Sequence, residues 1–507
     1  MGYIEGKIDR DQIDFMPMSF DEMIGEDNPV RAIDAFVEML DNNTLRCKYS
    51  EPKSTGRRPY NPKDMLKLYV YGYFYGIRTS RKLEKECSRN IEIMWLINRL
   101  TPDFKTIADF RKDNKEVVIG IFKEFGLFCN ELNLIGKEMV AIDGSKFRAC
   151  NSRCKNFTKR KVEKMLLHYE QSANKYLELL ADSDANDPDD VRIDTAKIKE
   201  KLQNAKKRID ELYLLQKKVE ENGEVSITDP DARHMSVSNN GTDISHNVQT
   251  AVDSKYHLVV AVNVTSNAAD NGQLYPMAEQ TKQELSVDEL TVLADKGYYN
   301  GKDLKSCEEN GIKAIVSKQK IGSRTGDENF TKDKFTYDKE KDCYICPMGK
   351  ALTKQSGPNS KRTRYRCSGC DTCPNRSKCT TNPKGREISP TEYQEYYDRA
   401  DKLFEENIGL YKQRQMIVEH PFGTIKRTLG YTYFLLRGHE NVKCESYMHF
   451  FIYNFKRVIN ILGITPLIAA IKKRMAEKNA VILSFLLLFK IIIAFLRRKN
   501  NSSAVFG

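Results

Sequence analysis

Residues 138–147 read EMVAIDGSKF, and residues 289–300 read ELTVLADKGYYN. Each is a short apolar run closed by an aspartate, with a glycine in the next few positions. That pattern describes a buried strand running into a turn at the edge of a sheet. Two such strands side by side would bring Asp143 and Asp295 together. Close carboxylates repel and take up a proton unless they share a cation, and Mg²⁺ (or Mn²⁺) favours oxygen ligands of this kind. Two ions about 3.5–4 Å apart would serve an in-line phosphoryl displacement. Taken singly, an Asp before Gly is more often only a turn residue.

Working outward, residues 246–253 (HNVQTAVD) and 257–265 (HLVVAVNVT) read as a strand hairpin joined near Ser254-Lys255. Residues 312–317 (IKAIVS) read as a further strand, after a helix around 302–309. Strands alternating with helices after a hairpin predict a mixed α/β core. Between the two aspartates, Val162, Met165, Leu166, Tyr169, Ala173, Tyr176 and Leu180 recur at helical spacing, as do Ile198, Leu202, Ala205, Ile209, Leu212 and Val219. With the acidic turn 182–190 between them, they predict an antiparallel helical hairpin over 157–222, coiled-coil-like, for dimerisation or bulk.

Residues 1–135 read as helical: one helix over Pro62–Gly76, one over Ser80–Leu100, another from Thr106. Basic residues at the joints (Arg57, Arg58, Arg78, Arg81, Arg111) suit a helix-turn-helix-like DNA binder or the solvated face of an ordinary bundle. Residues 320–395 read as a loop-rich insertion, and 392–475 as helical. Within the latter lies YKQRQMIVEHPFGTIK, residues 411–426. Pro421 is expected to end or bend the helix just after Glu419. Glu419 is then a third acid for metal, with Tyr411, Arg414 and Lys426 placed to contact DNA phosphates.

These blocks resemble bacterial insertion-sequence transposases of the DDE type, in the branch with a Tyr-Arg-Glu-Lys signature around the third acid. The carrying segments are AIDGSKF, LADKGYYNGKDL and YKQRQMIVEHPFGTIKR, with GRRPYNPKDMLKLYVYGYFYGIRTSRKLEKECSRN and TPDFKTIADFRK upstream, together spanning 56–462. The resemblance implies an RNase H-like catalytic domain over 136–475, interrupted by the hairpin and the insertion. It implies a metal-binding triad of Asp143, Asp295 and Glu419, and action on terminal inverted repeats and target DNA. One departure is present: four residues separate Arg414 from Glu419, where the wider group has three.

Six of the 13 cysteines lie between Cys343 and Cys379. Two CxxC knuckles predict a zinc-ribbon-like structural Zn²⁺ site of Cys343, Cys346, Cys367 and Cys370, with Cys373 or Cys379 as alternates; a metal-free loop is the other reading. Residues 353–386 carry nine Lys or Arg, including Arg362, Arg364 and Arg366, against one acid, Asp371, a charge suited to DNA backbone. Across all 507 residues, 82 Lys+Arg against 70 Asp+Glu give +12, which favours a polyanionic partner. With 40% hydrophobic and 30% charged residues the chain reads as globular, with two to four domains.

No apolar run follows the N-terminus, so a reducing cytosol (nucleoid-associated) is expected, with thiols free for metal. The apolar stretch 480–496, in a tail from 476 to 507, falls short of the roughly 20 residues of a membrane helix and contains Lys490. A packed C-terminal helix is expected there rather than membrane contact. The functions these features allow are a transposase acting as a homodimer, a non-catalytic DNA-binding derivative, and a metal-dependent nuclease without strand transfer.

Overall fold

The computed structural model describes residues 18–41, 47–48, 58–185, 195–237, 241–318, 327–355 and 363–480. The chain opens with helices α1 (Pro29–Met39) and α2 (Pro62–Phe74), each entered through an Asn N-cap followed by proline. Helix α2 is buried from Met65 to Phe74, and its Lys67 lies between Asp34 and Glu38, at 2.7 Å from each. The expected helix 80–100 is instead two, α3 (Ser80–Cys87) and α4 (Ile91–Leu96). Asn90 divides them because its side chain accepts from the backbone N–H groups of Glu92 and Ile93, making it a cap rather than a helix interior. Helices α5 (Phe104–Asp113) and α6 (Lys115–Glu131) complete this part.

Strand β1 (Met139–Arg148) begins the sheet. A short pair, β2 (Asn156–Thr158) and β3 (Glu224–Ser226), clamps the base of the helical hairpin α7 (Lys159–Ala185) and α8 (Thr195–Asn222). The hairpin has small cores of its own, Val162, Leu166, Leu212 and Val219 near the base and Ala173, Leu202 and Ala205 further out. Its expected acidic turn falls largely outside the described residues. Next come β4 (Arg233–Val237), β5 (Gly241–Asp253), β6 (Val259–Thr265), α9 (Leu274–Leu285), β7 (Leu290–Ala294), α10 (Gly301–Glu309) and β8 (Ile312–Val316).

In the sheet, β5 pairs antiparallel with β1 on one side and with β6 and β4 on the other, while β1, β7 and β8 run parallel in that order. Parallel neighbours require crossovers, and α10 supplies the one between β7 and β8.

The segment expected to be loop-rich forms a second sheet of very short strands: β9 (Thr336–Asp338), β10 (Cys343–Ile345), β11 (Ala351–Lys354), β12 (Tyr365–Cys367) and β13 (Glu387–Ile388), in consecutive antiparallel order, with the helical turn α11 (Arg376–Cys379) between the last two. Strands of two to four residues are too short to show a period in sequence. The helical region follows as α12 (Gln394–Glu406), α13 (Ile408–Tyr411), α14 (Arg414–Gly423) and a π-helical turn Thr424–Thr428. After an extended passage come α15 (His439–Leu462) and α16 (Ile464–Ala480), which are bent by 108° from each other. No described helix is by itself long and apolar enough to cross a membrane. The apolar stretch 481–496 lies outside the described residues.

The helices of residues 29–131 share one core with the sheet and α15. Phe451 of α15 stacks on Phe36 of α1 at 5.4 Å and meets Phe125 of α6 edge-on at 5.5 Å. At the centre of this packing, Glu445 of α15 is 1% exposed and accepts from the backbone N–H groups of Leu435 and Leu436. Arg78 lies 3.5 Å from it, bonds the carbonyl of Tyr433 and stacks on the rings of Tyr431 and Tyr433. Arg111 is half-buried and faces the same carboxylate. Two of the five arginines read as basic joints therefore point inward, drawn by a buried acid.

Candidate active site

The parallel register of β1 and β7 ends at Ile142 opposite Ala294, so Asp143 and Asp295 occupy the next position on each chain. Their settings differ from the paired strand ends expected. Asp143 lies within β1, which continues to Arg148 because its other edge stays paired to β5. Asp295 ends its strand and caps the 3₁₀ turn Lys296–Tyr298, accepting from the N–H of Lys296 at 2.7 Å. Burial, helped by the nearby Asp270 and Asp295 and opposed by Arg414 and the Gly144 N–H, pushes the Asp143 carboxyl up to about 6.

On the face bearing Asp143, α14 packs across β1 and β5, with α13 before it and the π turn after it. Val316 of β8 pairs with Ala294, so Ser317 is level with the two aspartates, and the Tyr411 hydroxyl bonds its Oγ at 3.0 Å. Arg414 lies over the Tyr411 ring and brings Nη1 to 3.9 Å from Asp143 Oδ2. Of the two outcomes expected at Pro421, an end or a bend, helix α14 does not end after Glu419. It passes through Pro421 to Gly423 and absorbs the lost hydrogen bond in the widened turn that follows. Within that turn Lys426 donates to Ser145 Oγ (2.6 Å) and the Lys146 carbonyl (2.7 Å), pinning the segment to β1. Burial, then Lys146, lowers its ammonium to about 8.

Glu419 is exposed and accepts from Gln415 at 2.8 Å. Among the described residues no three His, Cys, Asp or Glu side chains stand close enough to hold one metal ion. The structure thus brings the two aspartates and Arg414 together and leaves Glu419 facing outward on the adjoining helix.

Gly144 and Lys146 alternate with Asp143 and Ser145, so they face the other side of the sheet. There a fourth acid, not picked out from the sequence, lies beneath the site: Asp270, in the polar connection NAADNG after β6. It accepts from Asn247 and Gln249, both at 2.8 Å, and pairs with Lys146 at 3.3 Å. A glycine without room for a side chain above it was the available signal.

A family model described as a transposase domain (DUF772) matches residues 18–113, and one described as a transposase DDE domain matches residues 327–459. The chain carries two domains of the insertion-sequence DDE transposases. No curated protein matches the transposase sequence. Among solved structures, the cryo-EM structure of a piggyBac transposase synaptic complex with hairpin DNA is similar over 90% of this chain and 83% of that one, at 10% identity and a TM-score of 0.28, too distant to carry weight.

In this transposase the thiols are not grouped as the two CxxC knuckles predict. Cys346, Cys367, Cys370 and Cys379 pack at the small core of Phe335, Tyr344, Leu352, Tyr365 and Ile388. Cys343 is buried outside it, since it alternates with Tyr344 along β10. Arg366 is 2.6 Å and Arg364 3.8 Å from Glu387, so both share one acid, and Arg362 lies outside the described residues.

A methyl group on Gly144 would stand 2.2 Å from Gln249 Nε2 and 2.6 Å from Asp270 Oδ1. Gly144→Ala in the transposase is expected to cost about 1–3 kcal/mol through overpacking. Thermal melting checks this; an unchanged transition would show that these side chains can part freely.

Proposed function

We propose that this chain is a DNA transposase that cleaves at the ends of its element and joins them to target DNA, acting through Asp143, Asp295 and Glu419. The observation that carries the reading is the adjacency of Asp143 and Asp295 at the end of the β1–β7 register. The sheet order supports an RNase H-like core, with the antiparallel strands β1, β5 and β6, the short β4 beside β5, and then β7 and β8 parallel to β1. The raised carboxyl of Asp143, crowded by two further acids, is the donor chemistry a hard divalent cation fits. When bound, Mg²⁺ or Mn²⁺, as two ions, would activate the attacking oxygen and neutralise charge on the scissile phosphate. Asp143 and Asp295 would hold it, with Glu419 supplied from α14.

The chain's own residues position the rest. Arg414 offsets the acid charge and presents a guanidinium for a DNA phosphate. Tyr411 and Lys426 fix the crossing segment against β8 and β1. We assign DNA binding to the helical residues up to about 135 and to the basic Cys-rich unit, with the cytosol as the setting. A second copy is favoured by Leu167, Leu177, Tyr213 and Leu214, all exposed on the hairpin.

The test is a supercoiled plasmid carrying both element ends. Nicking and strand-transfer products in Mg²⁺ support the transposase, nicking without joining leaves a nuclease, and gel retardation alone leaves a non-catalytic binder.

In the same reading the Cys-rich unit would take up structural Zn²⁺ through Cys343, Cys346, Cys367 and Cys370, with Cys373 or Cys379 as alternates, by drawing together thiols that stand apart among the described residues. Cys346 Sγ accepts from the Lys350 N–H at 3.2 Å and Cys370 Sγ from the Arg386 N–H at 3.3 Å, bonds that a metal-bound thiolate also accepts. Lys350 also ties the two turns through the Gly369 carbonyl. Protein purified under reducing conditions is expected to carry about one zinc per chain by elemental analysis; metal-free protein with an unchanged melt would discard this site.

A further inference from the structure

Beneath the two aspartates, on the opposite face of the sheet, a hydrogen-bonded floor links the strand carrying one of them to the turn carrying the other. Asn247 and Gln249 are alternate residues of β5, so both project to that face, and both are fully buried. Their amide groups donate to the same oxygen of Asp270. Gln249 lies opposite Gly144 in the strand register and Asn247 opposite Lys146, whose ammonium also reaches Asp270. On the other arm, Gln249 Oε1 accepts from the hydroxyl of Tyr298, which is 1% exposed and ends the 3₁₀ turn capped by Asp295. The two glycines that follow the aspartates both face this group: Asp270 Oδ1 is 2.6 Å from where a Cβ on Gly144 would be, and Asp270 Cβ is 3.8 Å from one on Gly297.

We infer that Asp270 is a positioning residue for the reaction, the common anchor that fixes the backbone beneath Asp143 and Asp295 so that their carboxylates keep one separation. The inference rests on the catalytic reading of those two aspartates. Asp270 acts through neighbours: through Gly144 and Lys146 on β1, and through Gln249 and Tyr298 on the turn after β7. Its amide-accepting oxygen does this work, so the acceptor and not the charge is what the reaction requires. A buried chain of this kind is satisfied only as a whole, because loss of the acceptor strands two amide donors in the interior.

The test uses the full chain with Mg²⁺ and a duplex carrying one element end. Misplacement of reacting groups by about 1 Å can cost on the order of a hundredfold. Asp270→Ala is therefore expected to lower kcat about 100-fold, with KM for the duplex within about threefold of the parent. Asp270→Asn keeps an acceptor oxygen of the same shape and is expected to stay within about fivefold of the parent. Gln249→Leu, which cuts the arm to Tyr298 and leaves Asp270 in place, is expected to lose about tenfold in kcat and serves if Asp270→Ala does not fold. Asp270→Ala cleaving like the parent, or Asp270→Asn as inactive as Asp270→Ala, would overturn the inference while leaving the transposase reading standing. A parent chain that cleaves no DNA removes both.

Discussion

Asp143→Asn and Asp295→Asn are each expected to lower cleavage at an element end by about three orders of magnitude or more, which is ~4 kcal/mol of barrier. The substitution keeps shape and removes one negative charge from a place where charge is the function. Asp143 is already crowded: its side chain is 29% exposed, two other acids are near, and Arg414 at 3.9 Å is the cation that its oxygen meets. Such a group gains most from a divalent ion and loses most when the carboxylate becomes an amide. Affinity for DNA should change little, because phosphate contacts come from basic side chains elsewhere. Cleavage of labelled end duplex, followed beside gel retardation of the same duplex, separates the two effects. Normal cutting by Asp295→Asn in Mg²⁺ would remove it from the catalytic assignment.

Glu445→Ala is expected to destabilise the fold by about 3–5 kcal/mol, the cost of breaking a buried pair from one side. The carboxylate is held by two backbone N–H groups and by Arg78, which is itself 7% exposed and sandwiched between two tyrosine rings. Removing it leaves a buried guanidinium without its counter-charge and two donors without an acceptor. His449, 3.8 Å away, cannot substitute, since burial and then Arg78 depress its proton affinity well below the usual imidazole range. Glu445→Gln keeps the acceptor and should cost less. Urea unfolding followed by tryptophan fluorescence and circular dichroism reads both, and a Glu445→Ala transition at the parent midpoint would show that the network contributes nothing.

Much of the central architecture was legible because β-branched apolar runs leave a strong mark. The strand expected over 257–265 is Val259–Thr265, and that over 312–317 is Ile312–Val316. The helical hairpin was legible for a different reason, its long runs of apolar residues at helical spacing. What escaped was short or polar. Strand β4 and the strands around the cysteines have two to five residues. Asp270 lies in a run of polar and small residues with no period, and only its position under Gly144 distinguishes it. The inward turn of Arg78 was hidden because an arginine at a helix joint reads the same whether it meets solvent or a distant glutamate. Pro421 was read as ending or bending the helix; with Phe422 and Ile425 buried, the helix runs past it into a widened turn.

The sharing of one core by the first helices, the sheet and α15 has a mechanical meaning. If the leading helices grip a sequence inside the element and the aspartates cut at its border, the protein is a ruler with no joint between its two marks. The interval between recognised bases and broken bond is then built into the packing of Phe36, Phe125 and Phe451. A substrate with two extra base pairs in that interval should be gripped as well as before and severed at the unchanged distance from the recognised sequence, two base pairs short of the element's border, or not at all.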